Sequence, residues 1–144
     1  MSFAVDVNLL LYASDAGSPK HASAREFVER SARGREVFCV AWITLMSYLR
    51  IATHPAIFRQ PLSHDEAAGN VGALVALPQV RVLSEEEGFW AIYREVAADL
   101  PVRGNFVPDA HLAALLRQHG VRVLYTHDRD FRKFGFLETR DPLA

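Results

Sequence analysis

The run Val121-Arg122-Val123-Leu124-Tyr125, set off by Gly120 on one side and the polar Thr126 to Asp130 stretch on the other, is the most strand-like segment of the chain. Three similar runs precede it, at Phe3 to Val5, Val37 to Ala41 and Val80 to Leu83. Short, nearly continuous apolar runs of this kind suit strands covered on both faces, which is the situation inside a parallel sheet. The intervening stretches carry helical signals. A short helix is expected over Val7 to Ala13. Ser18-Pro19 opens another, with Ala22, Ala24, Phe27 and Val28 on one face and Gly34 at its end. Trp42 to Thr53 reads as a helix that stops before Pro55. Ser63 with Glu66 forms a capping-box signature for a helix to about Leu77. Ser84 followed by Glu85, Glu86 and Glu87 predicts a cap and an acidic first turn for a helix to about Asp99. Pro108-Asp109 predicts the start of a helix bearing Leu112, Leu115 and Leu116. Strands alternating with helices in this way predict an α/β fold, a central parallel β-sheet covered by helices.

The bulk numbers agree with one domain spanning residues 1–144. The 144 residues are 50% hydrophobic and 23% charged, an ordinary composition for a globular domain. A chain of this length buries about 68–70% of its unfolded surface and needs no disulfide or structural metal to hold a core. Cys39, the single cysteine, lies in the apolar run Val37 to Val40 and reads as a buried thiol in a reducing compartment, so a cytoplasmic location is expected. Asp6 and Asn8 interrupt the apolar N-terminal stretch and no basic leader precedes it, which argues against a signal peptide or membrane span. With 16 Lys and Arg against 17 Asp and Glu, the net charge is -1. Affinity for a polyanion therefore has to come from a local basic patch.

The placement of the aspartates carries the functional argument. Asp6 follows the first strand and Asp128 follows the last predicted one, so both stand at carboxyl ends, where ligand sites form in open α/β sheets. Asp109 opens a helix, whose N-terminal dipole favours an ionised carboxylate. Asp130 completes an Asp-x-Asp pair with Asp128, in which both acids can face one ion or one can ligate while the other orients water. Each of these acids also has an ordinary role as a helix cap or turn former; their joint placement is what sets them apart. No Cys and His pattern at zinc spacing occurs, so an oxygen-only ligand set points to Mg²⁺ or Mn²⁺. The histidines are scattered, and only His127, beside Asp128, adjoins this set. Phe131, Phe134 and Phe136 read better as packing residues than as a base-stacking platform.

Four segments together resemble the PIN-domain family, and specifically the VapC toxins of bacterial toxin–antitoxin operons. They are Phe3-Ala4-Val5-Asp6-Val7-Asn8-Leu9-Leu10, Leu49-Arg50-Ile51-Ala52-Thr53-His54-Pro55, Gly104-Asn105-Phe106-Val107-Pro108-Asp109-Ala110-His111-Leu112-Ala113 and Thr126-His127-Asp128-Arg129-Asp130-Phe131. Order and spacing both fit, over nearly the whole chain. The resemblance implies a PIN-like fold, with a parallel sheet of about four to five strands and helices on both faces. It also implies Mg²⁺-dependent endoribonuclease activity, neutralisation by a VapB-type antitoxin, and a homodimer. Carried over by position, Asp6, Asp109 and Asp128 are the implied metal-binding acids and Asp130 the additional catalytic aspartate, with Asn8 and Thr126 orienting them. Cleavage by water, leaving a 5′-phosphate and a 3′-hydroxyl, is the implied chemistry.

One position departs from the family pattern. The glutamate usual on the helix after the second strand aligns with Ser47, and no acid occurs from Val37 to Ser63. A serine can hold a metal-bound water but adds no charge, which puts a second metal site in doubt. Arg50, Arg103, Arg129, Arg132 and Lys133 adjoin the motif segments and are candidates for gripping RNA phosphates, or are simply solvated. Two alternatives differ in class: a catalytically weakened PIN domain acting mainly as an RNA- or antitoxin-binding module, and an aspartyl-phosphate enzyme. The second fits poorly, since the only lysines, Lys20 and Lys133, do not follow a strand.

Overall fold

The computed structural model describes residues 1–143. Five strands, β1 (Ser2–Val5), β2 (Val37–Ala41), β3 (Val80–Leu83), β4 (Val123–Tyr125) and β5 (Glu138–Arg140), form one sheet in the order β3-β2-β1-β4-β5. Every pairing is parallel, with Phe3 opposite Phe38, Phe38 opposite Val80, Ala4 opposite Leu124 and Tyr125 opposite Arg140. The first three strands step outward in one direction and the last two lie on the other side of β1. The strand order therefore switches between β1 and β4, the point at which α/β sheets open a crevice at their carboxyl edge.

Helices α1 (Val7–Ser14), α2 (His21–Arg33), α3 (Trp42–Ala52) and α4 (His64–Val75) fall between the first three strands, and α5 (Phe89–Ala97) and α6 (Phe106–Gln118) between β3 and β4. Side chains alternate across a strand, and the apolar runs accordingly feed two cores. Phe3, Val5, Phe38, Val40 and Val123 pack with Leu9, Leu10, Phe27, Leu45 and Tyr48 on one face. Ala4, Cys39, Ala41, Leu83 and Leu124 pack with α6 and with Phe131 and Phe134 on the other. Phe38, fully buried, meets Phe3 at 5.1 Å between ring centroids. Burial of such a ring contributes about 1.5–3 kcal/mol. Ala110, Ala113 and Ala114 are fully buried on α6, where their small side chains let the helix lie close to the sheet.

Several boundaries differ from the sequence-based expectation, each for a local reason. The acidic run Glu85 to Glu87 is not the first turn of α5. Gly88, with φ of 85°, breaks the backbone there and α5 begins at Phe89. The glutamates turn instead toward α6, where Glu85 Oε1 lies 2.5 Å from His111 Nε2 and the Glu86 N–H donates to the Gln118 side chain. The second helix starts at His21 rather than at Ser18-Pro19, because the Ser18 hydroxyl accepts the Lys20 N–H in a turn of its own. The α6 helix starts at Phe106, two residues before Pro108, which sits harmlessly in the first turn where backbone N–H groups have no helical partner. Val121 is buried but belongs to the turn that closes α6, its N–H donating to the Leu116 carbonyl, and β4 begins at Val123. A short turn of 3₁₀ helix over Arg129–Lys133 and the edge strand β5 complete the chain. Among the described residues, no helix is long and apolar enough to cross a membrane.

Candidate active site

Asp6 stands at the switch point, directly after β1. Its own N–H donates to the Tyr125 carbonyl at 3.0 Å, the last rung joining β1 to β4. Its side chain caps α1, Oδ1 accepting the Val7 N–H at 2.7 Å. The other oxygen accepts the Thr126 hydroxyl at 2.8 Å and, at 3.4 Å, the Asn8 amide. Burial raises the Asp6 pKa, while the Thr126 and Val7 hydrogen bonds oppose that rise.

Thr126 relays this contact. Its hydroxyl donates to Asp6 and accepts the Asp128 N–H at 2.9 Å, so one buried side chain fastens the β1 acid to the loop after β4. Asn8 crosses the same gap, its Oδ1 accepting the His127 N–H at 3.4 Å. Asp128 caps the 3₁₀ turn by accepting the Asp130 N–H at 2.9 Å. Asp109 enters from the other side, in the first turn of α6. Burial, together with the charges of Asp128, Asp6 and Asp130, pushes its pKa up to about 7.

Asp109, Asp128 and Asp130 each present a carboxylate oxygen within 4.8 Å of the others. Three hard oxygen donors at this spacing fit a divalent cation such as Mg²⁺ or Mn²⁺. The structure thus gathers Asp130 with Asp109 and Asp128, and Asp6 is near enough for its charge to act on Asp109 while both its oxygens accept hydrogen bonds. Ser47 is half-buried on α3 and makes no side-chain hydrogen bond among the described residues. Arg129, Arg132 and Lys133 ride on the 3₁₀ turn beside the acids, Lys133 Nζ lying 3.7 Å from Asp130. Arg103 is exposed ahead of α6. Arg50 occupies the last turn of α3, an 11-residue helix that starts at the sheet's carboxyl edge; this places it about 12 Å along the axis from that edge. Phe131 and Phe134 are core residues, 1% and 2% exposed.

The geometry coincides with one family along almost its whole length. The PIN domain profile matches residues 3–137. Ribonuclease VapC48 of Mycobacterium tuberculosis is 42% identical over 144 residues, covering 100% of this chain and 99% of that protein. The chain is a PIN-domain protein of the VapC family. Ribonuclease VapC43 of the same organism is 36% identical over 139 residues, covering 96% of this chain and 94% of its own length. Among solved structures, the sarcin-ricin-loop-cleaving toxin VapC20 of M. tuberculosis superposes with a TM-score of 0.70 at 23% identity, over 96% of this chain and 99% of its own. VapBC-1 from nontypeable Haemophilus influenzae gives 0.70 at 18% identity over 100% of both. Both share the fold of this chain over nearly its whole length.

One pair in this VapC site was not singled out as a pair from the sequence. His127 donates through Nδ1 to Asp141, and the partner is invisible until β5 is known to lie beside β4.

Proposed function

We propose that this VapC protein is a divalent-metal-dependent endoribonuclease, the toxin of a VapBC toxin–antitoxin pair. The convergence of Asp109, Asp128 and Asp130 on one point at the β1–β4 switch, with Asp6 held beside them by Thr126, carries the reading. Asp109, Asp128 and Asp130 would hold the ion, with Mg²⁺ the preferred species and Mn²⁺ a substitute. When bound, the ion supplies Lewis-acid activation of water and neutralises charge on the phosphoryl oxygens. Asp6, oriented by Thr126 and Asn8, adds negative field and keeps the Asp128 loop in place. Arg129 and Arg132, exposed on the 3₁₀ turn, grip the flanking RNA phosphates. Water attacks phosphorus and the 3′-oxygen leaves, giving 5′-phosphate and 3′-hydroxyl ends without a side-chain nucleophile.

The full-length likeness to VapC relatives supports a VapB-type antitoxin as partner. An apolar groove of about 570 Å³ among α1 to α4, lined by Leu10, Val28, Leu45 and Leu74, suits an amphipathic segment of such a protein. Trp42 and Met46, one turn apart on α3 and 45% and 50% exposed, support a homodimer. The buried Cys39 thiol suits the cytoplasm. Expression of the chain with and without the antitoxin encoded beside it, followed by mapping of RNA ends, tests the proposal. Growth arrest relieved by the antitoxin, with new 5′-phosphate ends, is expected. Intact RNA in arrested cells would overturn it.

A further inference from the structure

Beyond the acids, the loop from Thr126 to Asp130 has a side-chain tie to the end of the chain. In the parallel β4–β5 ladder Tyr125 stands opposite Arg140, and the Thr126 N–H donates to the Arg140 carbonyl at 2.9 Å. The ladder ends there. The next residue on each strand path is then His127 and Asp141, and the His127 Nδ1–H donates to Asp141 Oδ2 at 2.8 Å. The other Asp141 oxygen accepts the Leu143 N–H at 2.9 Å, so the carboxylate is fixed from both sides. The His127 ring also meets Tyr12 of α1 edge-to-face, with ring centroids 6.0 Å apart, and its backbone N–H reaches Asn8. One imidazole therefore joins α1, the loop after β4 and the segment after β5.

We propose that the His127–Asp141 pair is a positioning clamp that holds the Asp128 and Asp130 carboxylates in register for divalent-ion binding. Neither residue touches the ion; both are positioning residues. Asp109, Asp128 and Asp130 repel one another in the metal-free chain, and a loop free to relax would separate them. Among the described residues, His127–Asp141 is the side-chain hydrogen bond that links this loop to the C-terminal segment, so its loss lets Asp128 and Asp130 drift and lowers ion affinity. Hydrogen bonds made directly to a metal ligand are typically worth about 10–100-fold in metal affinity, and this pair, acting one step further out through the loop backbone, belongs at the lower end of that range. The inference rests on the reading of the acid cluster as a divalent-ion site.

Two substitutions of one residue separate the clamp from a direct role of the imidazole. His127→Asn keeps a donor near the place of Nδ1, whereas His127→Gln moves it to the place of Nε2. Mn²⁺ affinity of the full chain is measured by calorimetry, beside thermal unfolding and the kcat and KM of RNA cleavage. The clamp predicts Mn²⁺ binding weakened about tenfold in His127→Gln and in Asp141→Ala. It predicts near wild-type binding in His127→Asn, and no further loss in the His127→Gln/Asp141→Ala double variant. Unchanged Mn²⁺ affinity in Asp141→Ala, or a loss in His127→Asn as large as in His127→Gln, would overturn it. A variant that fails to fold is replaced in the comparison by Asp141→Asn, which keeps the shape but weakens the acceptor and is expected to fall between wild type and Asp141→Ala. No Mn²⁺ binding by the wild-type chain would sink the ion site itself, an outcome distinct from failure of the clamp.

Discussion

Thr126 and Asp6, 120 residues apart in the sequence, are joined by a buried hydrogen bond of 2.8 Å across the gap between β1 and β4. The same hydroxyl accepts the Asp128 N–H, so its removal leaves the buried Asp6 oxygen with only the 3.4 Å Asn8 contact and the half-buried Asp128 N–H without a partner. Thr126→Val is expected to cost about 1–3 kcal/mol of stability, and Thr126→Ser to recover most of it. Urea denaturation of the two variants checks this; equal stability of Thr126→Val and wild type would remove the relay from the account.

Asp109 gives the site a pH dependence of known sign. Its folded pKa of about 7 lies above the ordinary aspartate value of 3.8. Between those values the folded chain holds a proton that the unfolded chain has released. Stability of the metal-free protein therefore falls as pH rises from about 4 to 7, and the loss is complete above that window. Asp6, also raised, acts in the same direction. Thermal unfolding in EDTA should show a melting temperature lower at pH 8 than at pH 5.5, with the slope reduced in Asp109→Asn. A divalent ion competes with the same proton, so its apparent affinity rises over this window.

Asp130 and Ser47 test which carboxylates matter. With Asp130 already in the triad, Asp130→Ala should weaken Mn²⁺ binding by about tenfold or more, whereas Ser47→Glu should leave the affinity of the first ion close to wild type. A large tightening in Ser47→Glu would show that α3 reaches the ion and that the missing glutamate limits the site.

Arg129 separates substrate grip from ion binding. Arg129→Ala should raise KM for RNA and flatten its salt dependence while leaving Mn²⁺ affinity unchanged. Salt titration of RNA binding is the check, and unchanged affinity would return Arg129 to simple solvation.

The strands of the central sheet and the four acids were legible in the sequence for a physical reason. Strands buried on both faces leave unbroken apolar runs; Asp6 and Asp128 stand out at their carboxyl ends, Asp109 at a Pro-Asp helix start and Asp130 as the second acid of an Asp-x-Asp pair. The fifth strand, Glu138-Thr139-Arg140, was not legible, because an edge strand with exposed, polar residues carries no such run. With β5 hidden, Asp141 could not be recognised as the partner of His127. The Glu85 to Glu87 run misled for a related reason: an acidic first turn and a loop pairing with His111 and Gln118 have the same composition. The resemblance implied Asp6 as a metal ligand beside Asp109 and Asp128. The geometry adds that Asp6 accepts hydrogen bonds from Val7, Thr126 and Asn8, and that Asp130 gathers with Asp109 and Asp128; the carboxylate of Asp6 keeps lone pairs free for an ion.

Single-turnover cleavage of an end-labelled RNA by the purified chain decides whether the acid cluster is an ion-dependent RNA-cleaving centre. Mg²⁺ should restore cleavage after EDTA treatment in the wild-type chain, with cleavage abolished in a folded Asp109→Ala variant. Full cleavage by Asp109→Ala, or cleavage indifferent to EDTA, would contradict the account.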